Sequence, residues 1–227
     1  MPELEDAFEA LLEGARLESP LRRALAHYGA TVIEANRRFN LTGAKTPAEL
    51  TGHLLDSLTV VPYVREPYAD VGSGAGLPAI PVAVAAGIEL TLVEATGKKA
   101  RFLEFALERL GIRGRVIAER AEQAARRPDL RDRFASGTAR AIATAPTVAE
   151  LLLPFVEPGG VGIVQRGELP ESERTALEDA SLMLGARVEQ ELQLECNRRI
   201  VLLRKLGETP DRFPRRAGIP AKRPLCL

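Results

Sequence analysis

The chain has 227 residues, in which 31 Lys plus Arg balance 31 Asp plus Glu, with 45% hydrophobic and 27% charged residues. That composition buries a real core and excludes disorder over most of the length. The balance hides an asymmetry: from Asn197 to the end nine basic residues face two acidic ones, after a body with 22 basic and 29 acidic residues. Cys196 and Cys226 fit neither a disulfide framework nor a zinc ligand set, so a reducing compartment and no bound metal are expected. No apolar run approaches the ~20 residues of a membrane span, and the acidic start (Glu3, Glu5, Asp6, Glu9) is the reverse of a signal peptide. A cytoplasmic protein without a membrane partner is expected.

The first 65 residues read as helical. Phe8, Leu11 and Leu12, then Leu21, Leu25, Tyr28 and Val32, recur at three- and four-residue spacing, and Ser19-Pro20 suits a helix start. After the breaks at Gly43 and Pro47 the helical period resumes from Ala48 to Val64. From Tyr68 short β-like runs alternate with longer helical ones. Ala69–Val71 precedes Leu77–Ala86, Leu90–Val93 precedes Lys98–Leu110, and Arg115–Ala118 precedes a single helical turn. Thr138–Ile142 precedes Thr147–Val156, and Val161–Val164 precedes Glu171–Leu184. Repeated β-then-α units require parallel strands with right-handed crossovers. Val188–Leu194 and Arg199–Leu203, joined by a polar turn, predict an antiparallel closing pair. The reading is a doubly wound α/β fold with three segments: a helical extension over 1–65, an α/β domain over 66–206 and a basic tail over 207–227.

The most informative stretch is Asp70-Val71-Gly72-Ser73-Gly74-Ala75-Gly76-Leu77-Pro78, which follows a strand and opens a helix. Gly72 permits a tight turn, Gly74 lets a ligand approach the backbone, and Gly76 lets helix pack on strand. A dinucleotide fingerprint would place its third glycine at position 77, where this chain has leucine. Glu94 closes the second strand, where a carboxylate accepts hydrogen bonds from both ribose hydroxyls of an adenosine. Glu94 therefore argues for a nucleoside without saying which one.

An acid two residues before Gly-x-Gly-x-Gly resembles motif I of the class I, Rossmann-like S-adenosylmethionine methyltransferases. Ala121-Glu122 lies where those enzymes contact the adenine. Further blocks resemble one family, RsmG (GidB), the methyltransferases of guanine N7 in small-subunit (16S) ribosomal RNA. They are Arg38-Phe39-Asn40-Leu41-Thr42, His53-Leu54-Leu55-Asp56-Ser57-Leu58, Leu92 to Leu103, Arg120-Ala121-Glu122, Thr138-Ala139-Arg140-Ala141, Pro158-Gly159-Gly160 and Phe213 to Pro220. They run in order from about Asn36 to Leu225. Two departures stand out: Gln165-Arg166-Gly167, where the family has Lys-Gly, and Ala79 after the proline.

The resemblance implies a mostly parallel seven-stranded sheet and S-adenosylmethionine as cofactor. It implies cofactor contacts at Gly72, Leu77, Glu94, Ala95, Thr96, Ala121, Glu122 and Arg140, beside the loop residues Asp70, Gly74 and Gly76. On the substrate side it points to Arg140, Arg166, His53 and Asp56. His53 and Asp56 lie one helical turn apart, placed either to meet the guanine or to fix the extension against the domain. Asn40 and Thr42 are secondary. Small-subunit ribosomal RNA, assembled or precursor, is the implied partner of a monomer. The basic tail is expected to grip phosphates and to be dispensable for the cofactor. Two other functions compete: a methyltransferase of a small molecule or protein, and an NAD(P)-dependent oxidoreductase. The latter is disfavoured by Leu77 and by the lack of a Tyr-Lys or histidine proton relay.

Overall fold

A computed structural model describes residues 1–140 and 143–227. The chain opens with helices α1 (Pro2–Leu12), α2 (Ser19–Asn36) and α3 (Pro47–Leu58). Strands and helices then alternate: β1 (Tyr68–Val71), α4 (Ala79–Ala86), β2 (Leu90–Val93), α5 (Gly97–Leu110), β3 (Gly114–Ile117), α6 (Ala121–Ala124), β4 (Phe134–Arg140), α7 (Ala145–Leu152), β5 (Val156–Arg166) and α8 (Glu171–Met183). The hairpin β6 (Ala186–Gln193) and β7 (Arg199–Lys205) follows, then a short α9 (Ile219–Lys222). One seven-stranded sheet runs β3-β2-β1-β4-β5-β7-β6, and only the contacts made by β7 are antiparallel.

The central strands β1 and β2 are buried along their whole length, as cover by two helical layers requires, whereas the edge strands β3 and β6 are largely exposed. On β7, Ile200 and Leu202 join the cluster under α1 to α5, while Val201 and Leu203 join the cluster under α6 to α8. The N-terminal helices share the first cluster, with Phe8, Leu25, Tyr28, Leu50 and Leu54 packed around Tyr68 and Ile80.

Two strands are longer than the periodicity predicts. β4 starts at Phe134, ahead of the expected Thr138, and the expected end at Ala141 and Ile142 lies outside the described residues. Ser136 and Gly137 fall before the expected start, and in the strand the Ser136 hydroxyl is bonded to both Arg65 N and Arg65 O. A Cβ on Gly137 would lie 2.9 Å from Leu152 Cδ1, so the glycine is there for close helix-on-sheet packing. β5 likewise includes Pro158-Gly159-Gly160, across which the register with β4 shifts. A tertiary partner outweighs local turn propensity at both places.

The C-terminal segment, expected to grip phosphate, is folded onto the sheet's second face. Phe213 and Leu225 are buried in that cluster, and Arg131 donates to Thr209 O at 2.6 Å and to Phe213 O at 3.0 Å. Of the nine cations from Asn197 onward, five are paired, while Arg212, Arg216, Lys222 and Arg223 have no ion pair among the described residues. Arg198 pairs with Asp56, Arg199 with Glu191, Arg204 with Glu189, Lys205 with Asp132 and Arg215 with Glu150. Glu150 is fully buried and takes the backbone N–H, Nε and an Nη of Arg215. Removing the guanidinium would strand that carboxylate, so Arg215→Ala should destabilise the fold by about 3–5 kcal/mol. Urea unfolding of the two proteins measures it, and equal midpoints would contradict the pairing.

Candidate active site

β1 lies between β2 and β4, so successive crossovers leave it in opposite directions and a crevice opens beyond the carboxyl ends of the strands. The glycine loop fills the base of that crevice. Gly72, Gly74 and Gly76 have φ of 72, 56 and 92°, the left-handed region that side chains avoid. Gly72 N and Ser73 N donate to Val93 O at 2.8 and 3.1 Å. Glu94 completes the lashing: Oε2 accepts from Gly74 N at 2.9 Å and Oε1 from Thr96 N at 2.7 Å. One buried carboxylate thus holds the loop to the end of β2.

The resulting cleft is about 360 Å³ and is lined by Gly72, Gly74, Glu94, Ala95, Ala121, Glu122 and Arg140 among the expected cofactor residues. Asp70, Gly76, Leu77 and Thr96 lie outside its lining. Asp70 sits beneath, with Oδ1 accepting from Thr138 Oγ1 at 2.5 Å and a buried Oδ2 without a partner among the described residues. Burial raises its carboxyl to about 7, against the opposing hydrogen bonds of Thr138 and Ser73. Gly76 makes room for Ile80 and the Tyr28 hydroxyl. Leu77 packs on the first core cluster, and Thr96 is the N-cap residue of α5.

Arg140 enters the cleft from the end of β4 and is held from behind by α3. Its Nη2 donates to His53 Nδ1 at 2.7 Å and lies 3.3 Å from Asp56 Oδ2. Arg198 reaches the same Asp56 oxygen at 2.9 Å. Because Arg140 donates to Nδ1, the His53 proton sits on Nε2. Burial lowers the His53 pKa first, and the cations Arg140 and Arg198 lower it further, so the ring is neutral at neutral pH. Arg166 lies elsewhere: Nη1 pairs with Glu173 at 2.8 Å, which also accepts from Ala145 N, and it is absent from the cleft's lining.

Several contributors are not expected from sequence. The Tyr28 hydroxyl, from α2, donates to Ala75 O in the glycine loop at 2.5 Å. Gln165 Nε2 donates to Asp56 O at 2.7 Å, tying β5 to α3. Asn36, not Asn40, shapes the Arg38-to-Thr42 block, accepting from Leu41 N and Thr42 N and donating to Thr42 O and Ala44 O. Lys99, Glu119 and Arg120 line the cleft, and so do Gly218 and Ala221 from the C-terminal segment. Glu122 Oε1 accepts from Gly218 N at 2.8 Å, which fixes that wall. The segment expected to be dispensable for the cofactor therefore builds part of its cleft. A spacing signal for this does not exist in the sequence, since Glu122 and Gly218 are 96 residues apart.

The cleft fits an adenosyl ligand. An ideal Cβ on Gly74 meets nothing closer than 3.8 Å, so it would project into cleft space that the protein leaves free. Glu94 spends one lone pair of each oxygen on backbone and keeps others for ribose hydroxyls. Sheet order, glycine loop and strand-end acid define a class I, Rossmann-like methyltransferase. Among solved structures the chain resembles a branched-chain polyamine synthase mutein from Thermus thermophilus, with TM-score 0.60, 13% identity, and 87% of this chain and 66% of that one covered. It also resembles a Methanococcus jannaschii fibrillarin pre-rRNA processing protein, with TM-score 0.54, 17% identity, and coverage of 70% and 75%. These likenesses establish the fold.

The family model described as rRNA small subunit methyltransferase G matches residues 21–201. Proteins named ribosomal RNA small subunit methyltransferase G are 40% identical in Rubrobacter xylanophilus (86% of this chain, 81% of that one) and 38% identical in Deinococcus deserti (97% of each). The chain belongs to the rRNA small subunit methyltransferase G family. It is a methyltransferase, and S-adenosylmethionine is its cofactor.

Gly74 and Gly76 separate binding from folding. Gly74→Ala should cost about 1–2 kcal/mol of stability from its left-handed φ yet abolish measurable cofactor binding, because the methyl enters the cleft. At Gly76 an alanine methyl would lie 2.5 Å from Ile80 Cδ1 and 3.0 Å from the Tyr28 hydroxyl, so its main effect should be on stability. Calorimetry with S-adenosylhomocysteine beside thermal melts distinguishes them, and native affinity in Gly74→Ala would refute the loop assignment.

Asp70 yields a pH prediction. Its folded-state pKa of about 7 lies above the ordinary 3.8, so its contribution is present in full below 3.8 and is lost as pH rises toward 7. Asp70→Asn should therefore gain stability relative to the native protein between pH 4 and pH 7. Urea midpoints that run parallel for the two proteins across that range would contradict it.

Proposed function

We propose that the protein methylates N7 of a guanine in 16S ribosomal RNA, presented by the small ribosomal subunit or its precursor. The observation that supports N7 is the absence of a free imidazole: neither histidine lines the cleft. His53 accepts from Arg140, and His27 lies between Glu5 and Arg109. A hydroxyl or exocyclic amine must lose a proton on methylation, whereas N7 carries an in-plane lone pair and needs no general base. S-adenosylmethionine, when bound, supplies an electrophilic methyl on a sulfonium centre.

The chain's own work is alignment and charge. The glycine loop and Glu94 hold the nucleoside end, Ala95, Ala121 and Glu122 form the adjoining wall, and Gly218 and Ala221 of the C-terminal segment add to it. Positive charge grows on N7 as it is alkylated, and the carboxylates of Glu94, Glu119 and Glu122, interspersed in the lining with Lys99, Arg120 and Arg140, offset it. Arg140 offers a cation for the methionine carboxylate or an RNA phosphate. His53 and Asp56 are positioning residues that act through Arg140, and Arg166 fixes the end of β5 to α8. The protein works as a cytoplasmic monomer. Among the described residues no helix is long and apolar enough to cross a membrane.

The direct test is to map N7-methylguanosine in small-subunit RNA from cells with and without the gene; an unchanged map overturns the proposal. Within the site, Asp56→Asn leaves the shape but removes the charge between Arg140 and Arg198. It should weaken cofactor or RNA binding through a loosened Arg140, and since both arginines lose their common partner the loss should be about tenfold or more. Binding measured separately for each ligand reports which one Arg140 serves, and native values for both would remove the positioning role.

A further inference from the structure

A second concavity, of about 530 Å³, lies between α2 and α5 and belongs to neither the cofactor cleft nor the C-terminal segment. Its α5 wall carries Lys98, Arg101, Phe102, Phe105 and Arg109, spaced so that all project from one stripe of the helix. Its α2 side carries Arg38 and Glu34, the only acid in the lining, which spends its charge on Arg38 at 3.3 Å. Phe105 is 49% exposed, an unusual state for a large aromatic ring. The Arg109 guanidinium lies 5.8 Å from the centre of that ring and donates to His27.

Free cations and an exposed ring occur together here and not in the C-terminal segment. Lys98 and Arg101 have no ion pair among the described residues, and neither do Arg212, Arg216, Lys222 and Arg223 of the C-terminal segment, but only Lys98 and Arg101 share a groove with an exposed aromatic ring, since Phe213 is buried. Like charges gathered along one groove repel one another and do nothing for the fold, and an exposed phenylalanine among them gains nothing from water. A polyanion with flat apolar rings answers both features. The groove also joins the site: Lys98 lines it and the next residue, Lys99, lines the cofactor cleft, so the first turn of α5 is a shared rim.

We propose that this groove holds a single-stranded RNA segment flanking the methylated base, with phosphates on Lys98 and Arg101 and a base against Phe105. Such grooves pair backbone cations with aromatic faces. The proposal rests on the reading of the substrate as ribosomal RNA. It places the RNA track on α2 and α5, and relieves Arg198, Arg199, Arg204, Lys205 and Arg215 of that role.

The test compares the native protein with Lys98→Ala/Arg101→Ala, Phe105→Ala and, as a control at the opposite sheet edge, Arg187→Ala on β6. Affinity for a small-subunit rRNA transcript and for the isolated small subunit is measured at several salt concentrations, with S-adenosylhomocysteine affinity and methylation rates alongside. The double variant should lower the slope of log affinity against log salt by about 1.4–1.8, the loss of two phosphate contacts. Phe105→Ala should raise the RNA dissociation constant about fivefold or more with little change in slope. All variants should keep native cofactor affinity and their rate at saturating RNA, and Arg187→Ala should match the native protein. If the native protein methylates rRNA while both groove variants bind it with unchanged affinity and slope, the groove is not the RNA track and the functional reading stands. If Phe105→Ala weakens binding only to the assembled subunit, and the double variant has no effect, the occupant is a protein and the proposal falls. If the native protein methylates neither substrate, the functional reading fails and takes this one with it.

Discussion

Three left-handed glycines at alternate positions must turn the chain at the end of β1, and that turn is stable only because other elements hold it. Val93 O takes two of its N–H groups, Glu94 takes Gly74 N, and Tyr28 donates to Ala75 O. The N-terminal helices are thereby part of the cofactor site, since Tyr28 belongs to α2. The same hydroxyl and Ile80 fill the space that a side chain at Gly76 would need. Loop conformation, helix docking and ligand space form one mechanical unit.

The second organising feature is charge buried in pairs. Asp56 serves Arg140 and Arg198, Glu150 serves Arg215, and Asp132 serves Lys205. A buried ion without its partner is far more costly than the pair itself. These contacts therefore specify geometry: α3 to β4, the C-terminal segment to α7, and β7 to the turn before β4. Arg140 is the functional beneficiary, because its guanidinium is aimed by residues that do not themselves line the cleft.

Ion pairing also sorts the cations by availability. A tail rich in Arg and Lys suggests a phosphate grip when read as a string. Folded, five of the nine cations from Asn197 onward hold an acid within the protein, whereas a less conspicuous stripe on α5 keeps Lys98 and Arg101 unpaired beside an exposed ring. Net charge along a segment is a poor guide to where a polyanion binds when the partners of each charge lie far away in sequence.

The alternation of short apolar strands with helices, the antiparallel closing pair, the glycine loop and Glu94 were legible in the sequence, because each rests on local periodicity or on residues within one turn. So was the family, through ordered blocks along the chain. Tertiary structure alone decided the rest: that β4 begins at Phe134, that Ser136 and Gly137 are strand, that His53 and Asp56 meet Arg140, and that Gly218 and Ala221 wall the cleft. In each case the deciding contact joins residues separated by tens of positions, and no local propensity or spacing encodes it. Local sequence dictates which elements form and where the chain can turn left-handed. Only packing dictates which buried charge finds which partner, because burial makes each unpaired ion too costly and leaves one arrangement that satisfies them together.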